Sequence, residues 1–312
     1  MRCPSVLIIL IICSTAYAQF DGPGGEVGSR SIHKDYFGIT NWATDCVLNL
    51  GWQNLEDTSL GKPTIGTALS ALGAMDGDVV SLGDGGSAVL TFENPIVNIP
   101  GFDFAVFENG FKVGLSFYLE LAFVEVSADG KNYVRFPNES VIDTSYQTDN
   151  FAYTNPIQVY NLAGKHQAPY GTLFDLNEVG LDSIKYVKII DVVGSITDSL
   201  GSRDSKGKII NDPYPSPFES SGFDLDAVAV VNGVALSIAD NQVSKHKILP
   251  TVNQAGSKFN LVGKANRIIV RDILGKEVLC TQDNYFRIFN TGNFIVSIHS
   301  KDKIYQTRIC VQ

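Results

Sequence analysis

Tyr118-Leu-Glu-Leu-Ala-Phe-Val-Glu-Val126, followed at once by Ser127-Ala-Asp-Gly-Lys-Asn-Tyr133, decides the fold class. Successive side chains of a strand point to opposite faces. Leu119, Leu121 and Phe123 alternate here with Ala122, Val124 and Val126, so both faces are apolar. Such a run predicts a strand in the middle of a sheet, covered on each side. The Asp129-Gly130 step then supplies the positive φ of a tight hairpin, and the next strand follows.

Outward from this hairpin the same pattern recurs. Ala88-Val-Leu-Thr-Phe92, Phe102-Asp-Phe-Ala-Val-Phe107, Tyr186-Val-Lys-Ile-Ile-Asp-Val192 and Ala227-Val-Ala-Val-Val231 are short apolar runs bounded by Gly, Pro, Asn or Asp. No stretch has a long helical period, and Thr67 to Met75 is expected to form at most one short helix. The expected class is all-β, a jelly-roll-like sandwich over residues 19–232 and a second, smaller sandwich over 248–312. Residues 233–247 are read as a linker and residues 21–28, Gly-rich, as a flexible entry segment.

The hairpin carries a resemblance. Ser127-x-Asp129-Gly130-x-x-Tyr133, the later strand Ile184-Lys-Tyr-Val-Lys-Ile-Ile190 and the closing run Phe223-Asp-Leu-Asp-Ala-Val228 are similar to galactose-binding-like jelly rolls, including discoidin-type and carbohydrate-binding modules. The resemblance spans residues 80 to 232. It implies a binding module, with acidic residues near strand ends that often hold a structural Ca²⁺.

Both chain ends read as addresses. Arg2, the apolar run Val6 to Cys13 and the small-x-small step Ala16-Tyr17-Ala18 form a secretory signal peptide over residues 1–18. The apolar run is too short for a membrane span, which needs ~20 residues, and no later stretch approaches that length. At the other end, Asp272, Gly275 and Lys276, then Gly292 and Phe294, then Arg308-Ile-Cys-Val311, resemble the type A C-terminal sorting domain of type IX secretion cargo. One element departs, because Ile248-Leu-Pro-Thr-Val252 stands where that family usually has an Asn-Pro step. The resemblance implies the type IX machinery as a partner and a secreted or outer-surface location.

Composition narrows the function classes. Asp and Glu number 33 against 24 Lys and Arg, a formal charge of -9, without a basic stripe, so nucleic acid is not an expected partner. Of five cysteines, Cys3 and Cys13 leave with the signal peptide. Cys46, Cys280 and Cys310 remain, and Cys280 with Cys310 is the pair considered for a bridge within the tail. The four histidines are scattered, and neither Gly-x-Ser-x-Gly nor His-Glu-x-x-His occurs.

Asp224 and Asp226, two apart on one expected strand, would leave the same face about 6 to 7 Å apart. Such a pair is either solvated or bridged by a cation. With Asp103 and Glu108 they are the candidate metal ligands, for Ca²⁺, with Glu120, Glu125, Asp76, Asp78 and Asp84 as further acids. Trp42, Trp52, Tyr170 and Tyr214 are the candidate ligand-binding rings, for flat stacking on a sugar, and the alternative is that the tryptophans are core. The loops Asn161-Leu-Ala-Gly-Lys-His166 and Asn211-Asp-Pro-Tyr-Pro-Ser-Pro217 are expected on the rims, where binding usually resides. The expectation is a non-catalytic surface protein that binds a glycan or small nutrient. A carboxylate-dependent hydrolase and an adhesin are the alternatives.

Overall fold

The structure, a computed structural model, describes residues 20–234, 247–249, 252–262, 265–272, 276–300 and 303–312. The predicted signal peptide lies outside them, as do residues 235–246 of the predicted linker and Gly275 of the sorting-domain motif. The chain is all-β, and its helical content among the described residues is four short 3₁₀ turns. It divides into two units, Met1–Ile238 and Ala239–Gln312.

The first unit is a two-sheet, jelly-roll-like sandwich. One sheet runs, in spatial order, Ser31–His33, Tyr170–Phe174, Phe102–Glu108, Asp224–Val234 and Ile39–Trp42, with Val80–Ser81 also paired to Asp224–Val234. The other runs Val134–Arg135, Ala122–Ser127, Ser183–Asp191, Ser87–Val97 and Asp45–Asn49. Every pairing in both sheets is antiparallel.

Alternation builds the core. Phe104, Val106, Leu225 and Val228 from the first sheet meet Leu90, Val124, Val126, Val187 and Ile189 from the second. The residues between them serve other layers: Ala105, Phe107, Ala227 and Ala229 pack with Ile32 and Leu173, and Leu121 and Phe123 pack with Ile142, Leu162 and Ile210. The strand Ala122–Ser127 is therefore covered on both faces, as its two-sided pattern predicts. It pairs with a strand on each side, and Gly130 turns its hairpin at φ +72°.

Two local expectations need correction. The run from Tyr118 to Val126 is not one strand. Ser116–Tyr118 pairs with Phe111–Val113, whereas Ala122–Ser127 pairs with Ser183–Asp191, so the run serves two partners and breaks between them. At the break the Leu121 amide donates to Asp212 Oδ2 at 2.9 Å instead of joining a ladder. The expected helix over Thr67 to Met75 is a single 3₁₀ turn, Ala68–Ala71, capped by the Thr67 side chain.

The second unit has its own core. Lys247–Leu249, Lys258–Val262 and Tyr285–Arg287 form one sheet. Val252–Asn253, Lys303–Val311, Gly292–Ser300, Arg267–Asp272 and Glu277–Thr281 form the other. Phe259, Leu261 and Phe286 from the first meet Ile268, Val270, Val296, Ile298 and Ile309 from the second. Cys280 and Cys310 are free thiols. Two strands of the sheet separate theirs, a gap of about 14 Å at the usual strand spacing, against a disulfide reach of ~7 Å between Cα atoms.

Candidate functional site

Antiparallel register gathers carboxylates at one end of the first sandwich. Glu108 closes the strand Phe102–Glu108 and stands opposite Leu225, so Asp224 is beside it. Asp191 ends the strand Ser183–Asp191 opposite Ala122, which places Glu120 and Leu121 just beyond that strand end. Asp191 ties the two sheets together, accepting from the Phe223 amide at 2.7 Å and the Gly85 amide at 2.9 Å. Asp212 reaches the same end from its loop through the Leu121 amide. Gly164 fixes the break from the other side: its φ is +76°, and a Cβ there would stand 1.8 Å from the Glu120 carbonyl oxygen.

These acids differ in how well they are satisfied. Asp224 accepts from the Ser81 hydroxyl and, at 2.9 Å, from the Asn109 amide. Glu120 Oε1 receives the Tyr118 hydroxyl at a long 3.3 Å. Asp212 Oδ1 has no partner. Glu108 is 1% exposed, and neither of its carboxylate oxygens has a hydrogen-bond partner. The Gly110 and Asn109 amides favour its anion but close no hydrogen bond on it. None of the ion pairs among the described residues involves Glu108, Glu120, Asp212 or Asp224.

Burial without a basic side-chain partner has a predictable consequence. Desolvation pushes Glu108 and Glu120 well above the ordinary carboxylate range, and the charges of Asp224 and Asp212 push both further. Burial raises Asp212 well above that range and Asp191 to about 8, and each has a neighbouring acid adding to the effect. Burial also raises Asp224, with Ser81 and Asn109 opposing. Tyr118 is raised by its own burial and then by Glu120.

The cluster opens to solvent through a pit of about 170 Å³ lined by Asn109, Phe111, Tyr118, Glu120, Phe151 and Asp224, together with Ser216, Phe218 and Ser220. Phe111 stacks on Tyr118 at 5.2 Å, and Phe151 meets Phe218 at 5.6 Å. A shallow cleft of about 640 Å³ continues past Phe151, Phe218 and Ser220 toward Gln53 and Ile65. A pit of this size holds one group of a ligand, since drug-sized pockets start near 300 Å³. The cleft leaves room for the remainder.

The expected site residues scatter. Of the four candidate metal ligands, Glu108 and Asp224 come together. The ladder shifts register between Leu225 and Ala227, so Asp226 sits in an irregularity and serves different partners from Asp224. It accepts from the Asp76 and Gly77 amides at 3.2 and 2.9 Å. Asp103 accepts from the Ile99 and Leu176 amides at 3.0 and 2.8 Å, fastening two loops. Glu125 pairs with Arg135 and Lys188, and Asp84 accepts from the Leu55 amide. Among the described residues no three His, Cys, Asp or Glu side chains are set to hold a metal ion as they stand.

None of the four candidate rings lines the pit. Trp42 packs on Phe107 at 5.6 Å, and Trp52 lies 3.7 Å beneath the Lys62 ammonium. Tyr170 meets His33 edge-on at 5.2 Å, and Tyr214 is buried. The two loops expected on rims are largely buried: Asn161, Lys165, His166, Asn211 and Asp212 are each 3% exposed or less. Sequence reasoning missed Asn109, Phe111, Phe151, Phe218 and Asp212. They come from separate segments, and Phe151, Asp212 and Phe218 lie in loops outside the strands, so only long-range folding brings them together. No family model matches the chain, and no curated protein matches it in sequence.

Proposed function

We propose that the protein is exported by type IX secretion and acts at or outside the cell surface as a non-catalytic binder of a glycan or other small polar nutrient. The observation that carries this reading is the pit, which is lined together by the rings of Phe111, Tyr118, Phe151 and Phe218 and the hydrogen-bonding groups of Asn109, Glu120 and Asp224. Sugars present an apolar face to a ring and hydroxyls to carboxylates and amides. The shallow cleft that shares Phe151, Phe218 and Ser220 with the pit leaves room for further sugar units of an oligosaccharide. The strand architecture of the second unit supports its reading as a sorting domain. Among the described residues no helix is long and apolar enough to cross a membrane.

One observation favours a second reading. Glu120 and Asp224 line the same pit, and a hydrolase needs two carboxyl groups across a cleft. A glycan-array screen followed by calorimetry on the hits, with chromatography of the recovered glycan, separates the two. Binding with the glycan recovered intact supports the binder. Cleaved glycan replaces it with the hydrolase, and absence of binding to any glycan removes the glycan. Export is tested by deleting residues 248–312, which should hold the protein in the periplasm.

A further inference from the structure

We infer that the pit receives an organic ammonium group, and that the glycan it serves is an amino sugar whose amine is free and protonated. The inference deepens the pit reading of the preceding subsection and rests on it for the sugar. Two independent observations carry it. Glu120 and Asp224 line the pit among four aromatic rings, and no Lys, Arg or His lines it with them. And Glu120, only 7% exposed, has one side-chain hydrogen bond among the described residues, the long one from Tyr118 to Oε1, so Oε2 stands at the lining without a partner.

The chemistry of the lining sorts ligands. Two acids with no basic neighbour repel a phosphate or a carboxylate. A metal ion makes no use of the rings, and no three acids among the described residues are set to hold one. An ammonium uses both kinds of group. Its N–H groups donate to a carboxylate in charge-assisted hydrogen bonds. Its charge is also attracted to the face of an aromatic ring within about 6 Å. Phe111 and Tyr118 lie stacked, 19° from parallel, and Phe151 meets Phe218, with all four rings at the lining. The two acids divide the work. Asp224 already accepts from Ser81 and Asn109 and supplies negative charge, whereas Glu120 supplies the open acceptor. Glu108 and Asp212 stand outside the lining, yet their charges act on Glu120. An ammonium beside Glu120 favours its ionised form and offsets the repulsion among the acids.

Size and surroundings fit an amino sugar. A pit of about 170 Å³ takes the amine-bearing edge of one sugar unit. Ser216 and Ser220 at the lining offer hydroxyls to that unit. The adjoining cleft adds Glu219 and Gln53, again with no basic side chain. Further amines along the same oligosaccharide therefore meet the same sign of charge.

The test titrates the full chain by calorimetry at about pH 6, below the ordinary pKa of an amine. The probes are a glucosamine tetramer, the N-acetylglucosamine and glucose tetramers of the same linkage, and choline. The glucosamine tetramer should bind about 10- to 100-fold more tightly than either neutral tetramer, the range of a hydrogen bond to a charged group. Glu120→Gln should abolish that preference and leave the neutral tetramers where they were, and Asp224→Asn should reduce it where Glu120→Gln does not fold. Glu125→Gln and Asp226→Asn, outside the lining, should preserve it, which separates the pit from the general attraction of an acidic chain. Affinity for the glucosamine tetramer no greater than for the neutral ones overturns the ammonium and leaves the pit as a glycan binder. Choline bound where no tetramer binds supports the ammonium pocket and removes the glycan reading. Binding of none of the four probes overturns the inference, as does a preference that survives in a folded Glu120→Gln.

Discussion

The Lys165 ammonium donates to Asp21 Oδ1 at 2.6 Å while only 1% of the Lys165 side chain is exposed. The same ammonium donates to the Val159 carbonyl at 2.7 Å. Burial lowers the Lys165 pKa, and Asp21 opposes that shift. The Gly-rich segment after the predicted signal peptide is thus a structural strap, contrary to the flexible entry expected of it. Its Gly24 exchanges hydrogen bonds with Gln167, and Asp21 Oδ2 receives the Arg30 amide.

Removing Asp21 strands a buried ammonium. Asp21→Ala is expected to cost about 3–5 kcal/mol, the usual penalty for breaking a buried pair from one side. Urea denaturation at pH 7 measures it. The double variant Asp21→Ala/Lys165→Met should recover part of the loss, because no charge is then left unpaired. A double variant no more stable than Asp21→Ala would show that the strap holds by packing alone.

His166 sits in the same cluster and supplies a pH dependence. Its ring is 1% exposed, and burial followed by the Lys165 charge holds its pKa down to about 3. Asp21, with Nε2 3.5 Å from Oδ2, and the Arg30 main chain pull the other way and are outweighed. The folded state therefore refuses a proton that the unfolded chain accepts below its ordinary value near 6.5. The stability this contributes is present above pH 6.5 and lost as pH falls toward 3, at about 1.4 kcal/mol per unit. Asp84, raised to about 6, and Asp191, raised to about 8, act with opposite sign. Their contribution is present at low pH and lost as pH rises through those values. The unfolding free energy of His166→Gln from urea denaturation should therefore fall less than the native protein's between pH 6.5 and 4.5, by about 2 kcal/mol. Parallel curves would show that His166 is not the group.

Gly164→Ala tests how the strand break is held. A Cβ at φ +76° would stand 1.8 Å from the Glu120 carbonyl oxygen and 2.9 Å from the Phe223 ring. Backbone must shift in addition to the left-handed penalty of about 1–2 kcal/mol. A loss of at least about 3 kcal/mol is expected by urea denaturation. The exposed Gly180, also left-handed at φ +69° but with open space around it, is the control, and Gly180→Ala should cost only the conformational part.

What the sequence made legible followed periodicity. The two-sided apolar run, the Asp129-Gly130 turn and the runs Phe102 to Phe107 and Tyr186 to Val192, whose C-terminal limits fall within one residue of the observed strand ends, were readable because each depends on neighbours in the chain. The site was half legible. Glu108 and Asp224 were identifiable as acids at strand ends, and they do meet. Asp226 was misjudged because a ladder irregularity breaks strict alternation, and nothing local in Asp224-Leu-Asp-Ala announces it. The ligand rings were misjudged for a different reason. Tyr214 is buried and Trp42 packs half-buried against the core, while Phe151 and Phe218 stay out. Aromatic composition does not distinguish those outcomes, since only long-range pairing decides which rings find cover.

Phe151 and Phe218 give the sharpest separation of binding from stability. They are 70% and 39% exposed, and their rings meet at 5.6 Å where the pit joins the cleft. Little apolar area is released on truncating Phe151, so Phe151→Ala should change stability by no more than about 0.5 kcal/mol, with Phe218→Ala somewhat above that. A sugar stacked there loses its apolar face, and each ring contributes about 0.5–1.5 kcal/mol beyond simple burial. The double variant should weaken a glycan found by array screening about 10- to 100-fold, read by calorimetry, while the urea midpoint moves little. Leu115→Ala, at a side chain 92% exposed outside the pit lining, should leave that affinity unchanged. Equal affinity in the native and double-variant proteins would place the glycan on another face of the sandwich.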